Sequence, residues 1–111
     1  MKPTITYQDF DQLDLRIGKV LEASAPDWSQ TLLELKVDFG QEIGRRTILA
    51  GVKNYYTPDE LKGNNYLFVV NLAEKKMGPG VSQGMILMVD VEGEPRKFEL
   101  PDELGPGTLV R

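Results

Sequence analysis

Cysteine and histidine are both absent from the 111 residues. Without cysteine there are no disulfides, no thiol chemistry and no thiolate metal site. Without histidine the commonest general base and the commonest metal ligand are missing. Asp14, Asp38 and Asp90 lack the spacing of a cation-binding loop and read as solvated strand positions. No metal or cofactor is therefore expected. Catalysis would have to rest on carboxylates, lysines or tyrosines with no paired-carboxylate motif, so a protein that is not an enzyme is expected. No apolar run approaches the roughly 20 residues of a membrane helix. The opening Met1–Thr6 has no apolar stretch like that of a signal peptide, and a cytoplasmic protein outside any membrane is expected.

The formal net charge is −4, but it is unevenly spread. Residues 1–42 carry four basic and eight acidic side chains, residues 43–89 six and three, and residues 90–111 three and six. Charges farther apart than about 8 Å are largely screened at physiological salt, so a ligand meets the local patch. A basic middle between acidic flanks permits a phosphate-bearing partner.

Period-two alternation marks the strands. In 13–23, Leu13, Leu15, Ile17, Leu21 and Ala23 are expected on the core face, with Asp14, Arg16 and Glu22 opposite. Gly18 within that run predicts a bulge or bend. Leu33, Leu35, Val37 and Phe39 alternate with Glu34, Lys36 and Asp38. Runs 47–52 and 66–70 are continuously apolar, as strands buried on both sides would be, and 85–91 reads as a fifth strand before a turn into 97–100. Thr57, Pro58 and Glu60 form a capping box for one helix, with Tyr56 and Leu61 as its staple and Gly63 as its end. A second turn over 9–12 is weaker. Residues 1–111 form one domain, long enough for a single core. Five strands with a helix between the third and fourth fit an all-β, five-stranded oligonucleotide/oligosaccharide-binding (OB) Greek-key barrel with a C-terminal extension. They also fit an α+β sandwich.

The connection from Asn71 to Met85 holds two adjacent lysines, three interior glycines, Ser82, Gln83 and two methionines. Glycines let backbone approach a ligand closely, and lysines supply charge for phosphate.

Ordered motifs along the chain carry a resemblance. They are Tyr7-x-Asp9-Phe10-x-x-Leu13 through Glu22, Lys36-Val-Asp-x-Gly40, Ile48-x-Ala-Gly51, and Tyr55-Tyr-Thr-Pro-x-Glu-Leu-x-Gly63. Val70-Asn-Leu72, Lys76-Met-Gly78, Ser82-Gln-Gly-Met85 and Leu100-Pro-x-x-x-Leu-Gly-Pro-Gly107 continue the series. From about Tyr7 onward the chain resembles the tRNA-binding OB domain found at the C-terminus of many methionyl-tRNA synthetases and in free-standing dimeric tRNA-binding proteins. The resemblance implies a non-catalytic, structure-specific tRNA-binding protein. It also implies a homodimer and assistance to an aminoacyl-tRNA synthetase. The stretch Asp38–Gly44 and the Pro26-Asp-Trp28 segment resemble instead the CsaA-type export chaperones, which gives the alternative of a chaperone for unfolded or export-destined peptides. The last loop, reading Asn71-Leu-Ala-Glu74 where the tRNA-binding family commonly has Asn-Leu-Lys-Pro, departs from its pattern.

In an OB barrel a ligand crosses the second and third strands, between the first and last inter-strand loops. Trp28, Lys36, Arg45, Arg46 and the 71–85 loop would then surround one groove. Lys75 and Lys76 are the first candidates for phosphate contact. Ser82 and Gln83 are candidates for hydrogen bonds to phosphate, ribose or base edges, or for stabilising their own turn. Met85 is placed either on a base face or in the core, Asn71 either on RNA or on loop backbone, and Arg16 either on RNA or in an ion pair with Asp14 or Glu22. Trp28 either stacks on an unpaired base or caps the barrel.

Overall fold

The computed structural model describes residues 1–111. In chain order a one-turn helix α1 (Tyr7–Phe10) precedes strands β1 (Leu15–Ser24) and β2 (Leu33–Asp38). A turn of helix α2 (Gly40–Ile43), strand β3 (Arg45–Ala50), helix α3 (Pro58–Leu61) and strand β4 (Asn65–Val69) follow. Short strands complete the chain: β5 (Lys75–Met77), β6 (Gly80–Ser82), β7 (Met85–Ile86), β8 (Val89–Val91), β9 (Glu94–Arg96) and β10 (Leu109–Val110). The main sheet is antiparallel in the order β3-β2-β1-β4-β7, with β10 on the free end of β1. It curls into a nearly closed all-β barrel, the expected OB-like architecture.

The barrel closes by a seam made partly of side chains. Gln83 donates its backbone N–H to the Thr47 carbonyl at 2.9 Å. Its side-chain Oε1 accepts from the Thr47 N–H at 2.9 Å. Ser82 Oγ accepts from the Leu49 N–H at 2.9 Å and donates to the Gly84 carbonyl at 3.0 Å. A side-chain oxygen thus stands in for the carbonyl that a neighbouring strand would supply.

The interior is filled by alternate residues of the strands: Leu33, Leu35 and Val37 from β2, Ile48 and Ala50 from β3, and Tyr66 and Phe68 from β4. Phe39 and Phe68 meet edge to face with ring centroids 5.1 Å apart. In β1 the inward residues are Gly18 and Val20, and this corrects the expected phase. A side-chain carbon on Gly18 would come within 2.6 Å of both Phe39 and Val37 side chains, so only glycine lets β1 pass this close to the core. A register shift between Val20 and Glu22 leaves Leu21 as the unpaired, outward residue of a bulge, keeps Glu22 outward opposite Lys36, and returns Ala23 to the core side. Leu15, Ile17 and Val69 are buried on the outer side, where the C-terminal residues return across β1 and β4. Asn65 holds that return, donating to the carbonyls of Pro101 at 3.0 Å and Leu104 at 2.9 Å.

The Glu60 carboxylate accepts from both the Thr57 N–H at 2.9 Å and its hydroxyl at 3.2 Å, as the capping sequence requires. The expected N-terminal turn begins earlier, over Tyr7–Phe10, with Thr6 and Asp9 as its own capping box. The expected fifth strand is broken: Met85–Ile86 pairs with β4, while Val89–Val91 pairs with Glu94–Arg96 as a separate hairpin. The expected loop 71–85 contains the β5–β6 hairpin, whose pairs are Lys75↔Ser82, Lys76↔Val81 and Met77↔Gly80.

Burial pushes the Tyr66 phenol above its ordinary value. Lys97 is raised as well, chiefly by its bond to the Glu99 carboxylate. Both groups hold their protons to higher pH in the folded protein than in the unfolded chain. The stability they add is therefore complete below about pH 10 and is lost as pH rises through the folded values. Thermal midpoints should hold up to about pH 10 and fall above it, and Tyr66→Phe should flatten the fall. An equally steep fall in the variant would remove Tyr66 from the explanation.

Candidate nucleic-acid interface

Alternation along β2 puts Leu35 and Val37 inside and Lys36 outside, where it pairs in register with Thr47 of β3. Lys36 Nζ donates to Thr47 Oγ1 at 2.8 Å and lies 3.3 Å from a Glu34 carboxylate oxygen. These side chains form one wall of an open groove of about 600 Å³ lined by Leu21, Glu22, Lys36, Arg45, Arg46, Thr47 and Gln83. Leu21 supplies its one apolar wall, placed there by the register shift in β1. Glu22 is drawn toward Lys62, 3.4 Å away.

Arg46 is in phase with the inward residues Ile48 and Ala50, so it starts toward the barrel and emerges at its end. There its guanidinium donates to the carbonyls of Val70 at 2.6 Å and Gln83 at 3.3 Å. It also borders a second opening of about 340 Å³ with Asn71, Leu72, Glu74 and Gln83. The β5–β6 hairpin leaves the barrel after Glu74 and returns at Gln83, at the rim shared by both openings. Lys75 and Lys76 are exposed on that hairpin. Neither they nor Arg45 or Arg46 forms an ion pair, whereas Lys36 is paired.

The fold therefore brings Lys36, Arg45, Arg46 and Gln83 to one groove and carries Lys75 and Lys76, exposed, on the hairpin that returns to it at Gln83. Trp28, from the β1–β2 loop, packs on the hairpin turn and is 37% exposed. Other candidates are engaged elsewhere. Arg16 lies 2.6 Å from Asp14 and 3.3 Å from Glu42 and donates to the Gly107 carbonyl at 3.1 Å. Its bond to Asp14 raises its pKa further above the ordinary arginine value. This is the ion pair with Asp14, which neutralises it away from the groove. Asn71 accepts from the Asp14 N–H at 2.8 Å and donates to the Gln12 carbonyl at 2.6 Å, clamping the approach to β1. Met85, paired with Val69, does not line the groove and borders an apolar opening with Leu49 and Leu87. Ser82 is 3% exposed and its hydroxyl is used in the seam.

Sequence reasoning did not select Thr47, Glu22 or Leu21. Thr47 was hidden at the start of an apolar run, although its pairing with Lys36 marks it as outward. For Leu21 the only signal was Gly18, which announces an irregular strand without locating the shift.

Ser82→Ala should leave the buried Leu49 N–H without its partner and lower stability by roughly 1–3 kcal/mol. Denaturant unfolding checks this. An unchanged midpoint would show that the seam does not depend on that hydroxyl.

A nearly closed antiparallel barrel with unpaired cations around a groove on β2–β3 has the build of an oligonucleotide-binding barrel. The chain belongs to the family described as "Putative tRNA binding domain", whose model matches residues 15–109. A methionine–tRNA ligase of Chloroherpeton thalassium is 48% identical over 90 residues, which are 81% of this chain and 13% of that enzyme. The chain thus spans about an eighth of that relative's length. Among solved structures, a MetRS-related protein from Pyrococcus horikoshii superposes with a TM-score of 0.93 at 32% identity, covering 99% of this chain and 100% of that one. The chaperone CsaA of Bacillus anthracis superposes with a TM-score of 0.85 at 30% identity, covering 98% and 100%.

Proposed function

We propose that this chain is a non-catalytic tRNA-holding protein that works as a homodimer in the cytoplasm and assists an aminoacyl-tRNA synthetase. The observation that carries the reading is the gathering of Lys36, Arg45 and Arg46 in one groove whose Gln83 is also the root of the hairpin bearing the exposed, unpaired Lys75 and Lys76, in a chain that is acidic overall. Flexible ammonium groups and guanidinium forks match the phosphate backbone of a folded RNA. The groove has no aromatic platform among its lining residues, so recognition rests on shape and backbone more than on base identity. Lys75, Lys76, Arg45, Arg46, Lys36 and the Gln83 amide form the proposed contact set. Arg16, Asn71 and Met85 neither line the groove nor stand on the hairpin, and the Ser82 hydroxyl is buried in the seam, so these four stay outside it.

The dimer is supported by an apolar outer face. Ile86 and Met88 pack inward, which leaves Met85, Leu87 and Val89 outward beside Leu67 and Val69 of β4. Met85 is 45% and Val89 49% exposed. Apolar side chains gathered in this way mark an association surface, and a two-fold partner would double the basic groove.

A peptide-binding reading draws on an apolar slot of about 350 Å³ where β3 and β7 diverge, lined by Leu49, Val52, Ile86, Met88 and Pro95 among others, and on the likeness to CsaA. A gel-shift of total tRNA against single-stranded RNA of equal length, over a salt series, separates the readings. Tighter binding of tRNA, weakening steeply with salt, is expected. Binding of an unfolded apolar peptide with no binding of tRNA at low salt would replace the proposal with the chaperone reading.

A further inference from the structure

The indole of Trp28 lies against the glycine backbone of the β5–β6 turn. A side-chain carbon built on Gly78 would lie 3.0 Å from ring carbons Cε3 and Cζ3, and one on Gly80 would lie 3.0 Å from Cζ2 and 3.1 Å from Cη2. The carbon on Gly80 would also meet Leu49 Cδ1 at 3.0 Å. The turn of the β5–β6 hairpin thus lies on Trp28 of the β1–β2 loop, joined at Gly80 by Leu49 of β3 on the same face. Ser82 and Gln83 fasten only the root of the hairpin to β3. Each of its strands is three residues long, and a two-stranded ribbon of that size does not hold its shape alone.

The platform under the indole is itself pinned. Ser29 Oγ accepts from the N–H groups of Thr31 at 3.2 Å and Leu32 at 3.1 Å. Lys53 Nζ donates to the Ser29 carbonyl at 3.2 Å, and the Lys53 N–H to the Thr31 carbonyl at 3.1 Å. The β1–β2 loop is therefore rigid enough to transmit order to what packs on it.

We propose that Trp28 is a positioning residue: it orders the β5–β6 hairpin so that Lys75 and Lys76 are presented to RNA before binding. The lysines then lose less freedom on contact, and the affinity that ordering would otherwise consume is kept. The role in affinity rests on the tRNA-binding reading, whereas the ordering of the hairpin does not.

The test is a double-mutant cycle of Trp28→Ala and Gly80→Ala, with Trp28→Phe as the conservative variant. Gly80 does not have a positive φ, so alanine there disturbs the indole contact without backbone strain. Each single change is expected to weaken tRNA binding about ten-fold, the double variant to be no weaker than Trp28→Ala alone, and Trp28→Phe to recover most of the loss. In parallel, hydrogen exchange at the β5 and β6 amides should accelerate in Trp28→Ala while β1, β2 and β4 keep their protection. Unchanged hairpin exchange in Trp28→Ala, or losses that add in the double variant, would overturn the proposal. Failure of the unaltered protein to bind tRNA would sink the functional reading instead, and the exchange data would still decide whether Trp28 orders the hairpin.

Discussion

Replacing Lys75 and Lys76 together by alanine should lower the salt dependence of tRNA affinity by about two units in the logarithmic slope, because each phosphate contact contributes about 0.9. The loss of affinity should be large at low salt and shrink as salt rises. Neither lysine is buried or ion-paired, so the thermal midpoint should stay where it is. Unchanged affinity with an unchanged slope would take the hairpin out of the interface. The negative total charge is no obstacle to this expectation. Carboxylates such as Asp102 and Glu103 lie in the C-terminal return and line neither opening.

An equally large effect is expected on the other side of the barrel. Val89→Glu places a carboxylate in the middle of the apolar outer strip, where a two-fold partner would have to bury it. Sedimentation should show monomers where dimers are expected of the unaltered protein, and tRNA affinity should drop about a hundred-fold as two linked grooves become one. Val89 is half exposed and outside the core, so the barrel should fold as before. A variant that remains dimeric would move the association surface elsewhere. A monomer that binds tRNA as tightly as the dimer would show that one groove suffices.

Much of the fold could be read in the sequence because alternation is a direct consequence of strand geometry. The β2 pattern around Leu35 and Val37, and the capping box at Thr57 and Glu60, follow from purely local rules. The phase of β1 did not, because burial there occurs on both sides. Leu15 and Ile17 are buried under the returning C-terminus, so their apolar character carries no information about which face is the barrel interior. Of the residues that do face inward, Gly18 has no side chain to signal it, and Val20 alone marks the true phase.

The candidate site was legible in part for a related reason. Charge type identified Lys36, Arg45, Arg46, Lys75 and Lys76, but it could not distinguish a free cation from one already engaged. Arg16 is held by Asp14 and Glu42, and only the fold brings Glu42 across to it. Ser82 looks like a ligand-binding hydroxyl in a glycine-rich segment, yet the seam needs that oxygen for Leu49. Trp28 reads either as a stacking residue or as a cap on the barrel, and its contact with two glycines fifty residues later is invisible without the folded hairpin.

Acetylating the lysines with and without saturating tRNA, and reading each site by mass spectrometry, would locate the polyanion on the protein itself. Lys36, Lys75 and Lys76 should be protected, while Lys2 and Lys97 should react at the same rate in both conditions. Equal protection of every lysine, or none at Lys75 and Lys76, would contradict a groove-and-hairpin site.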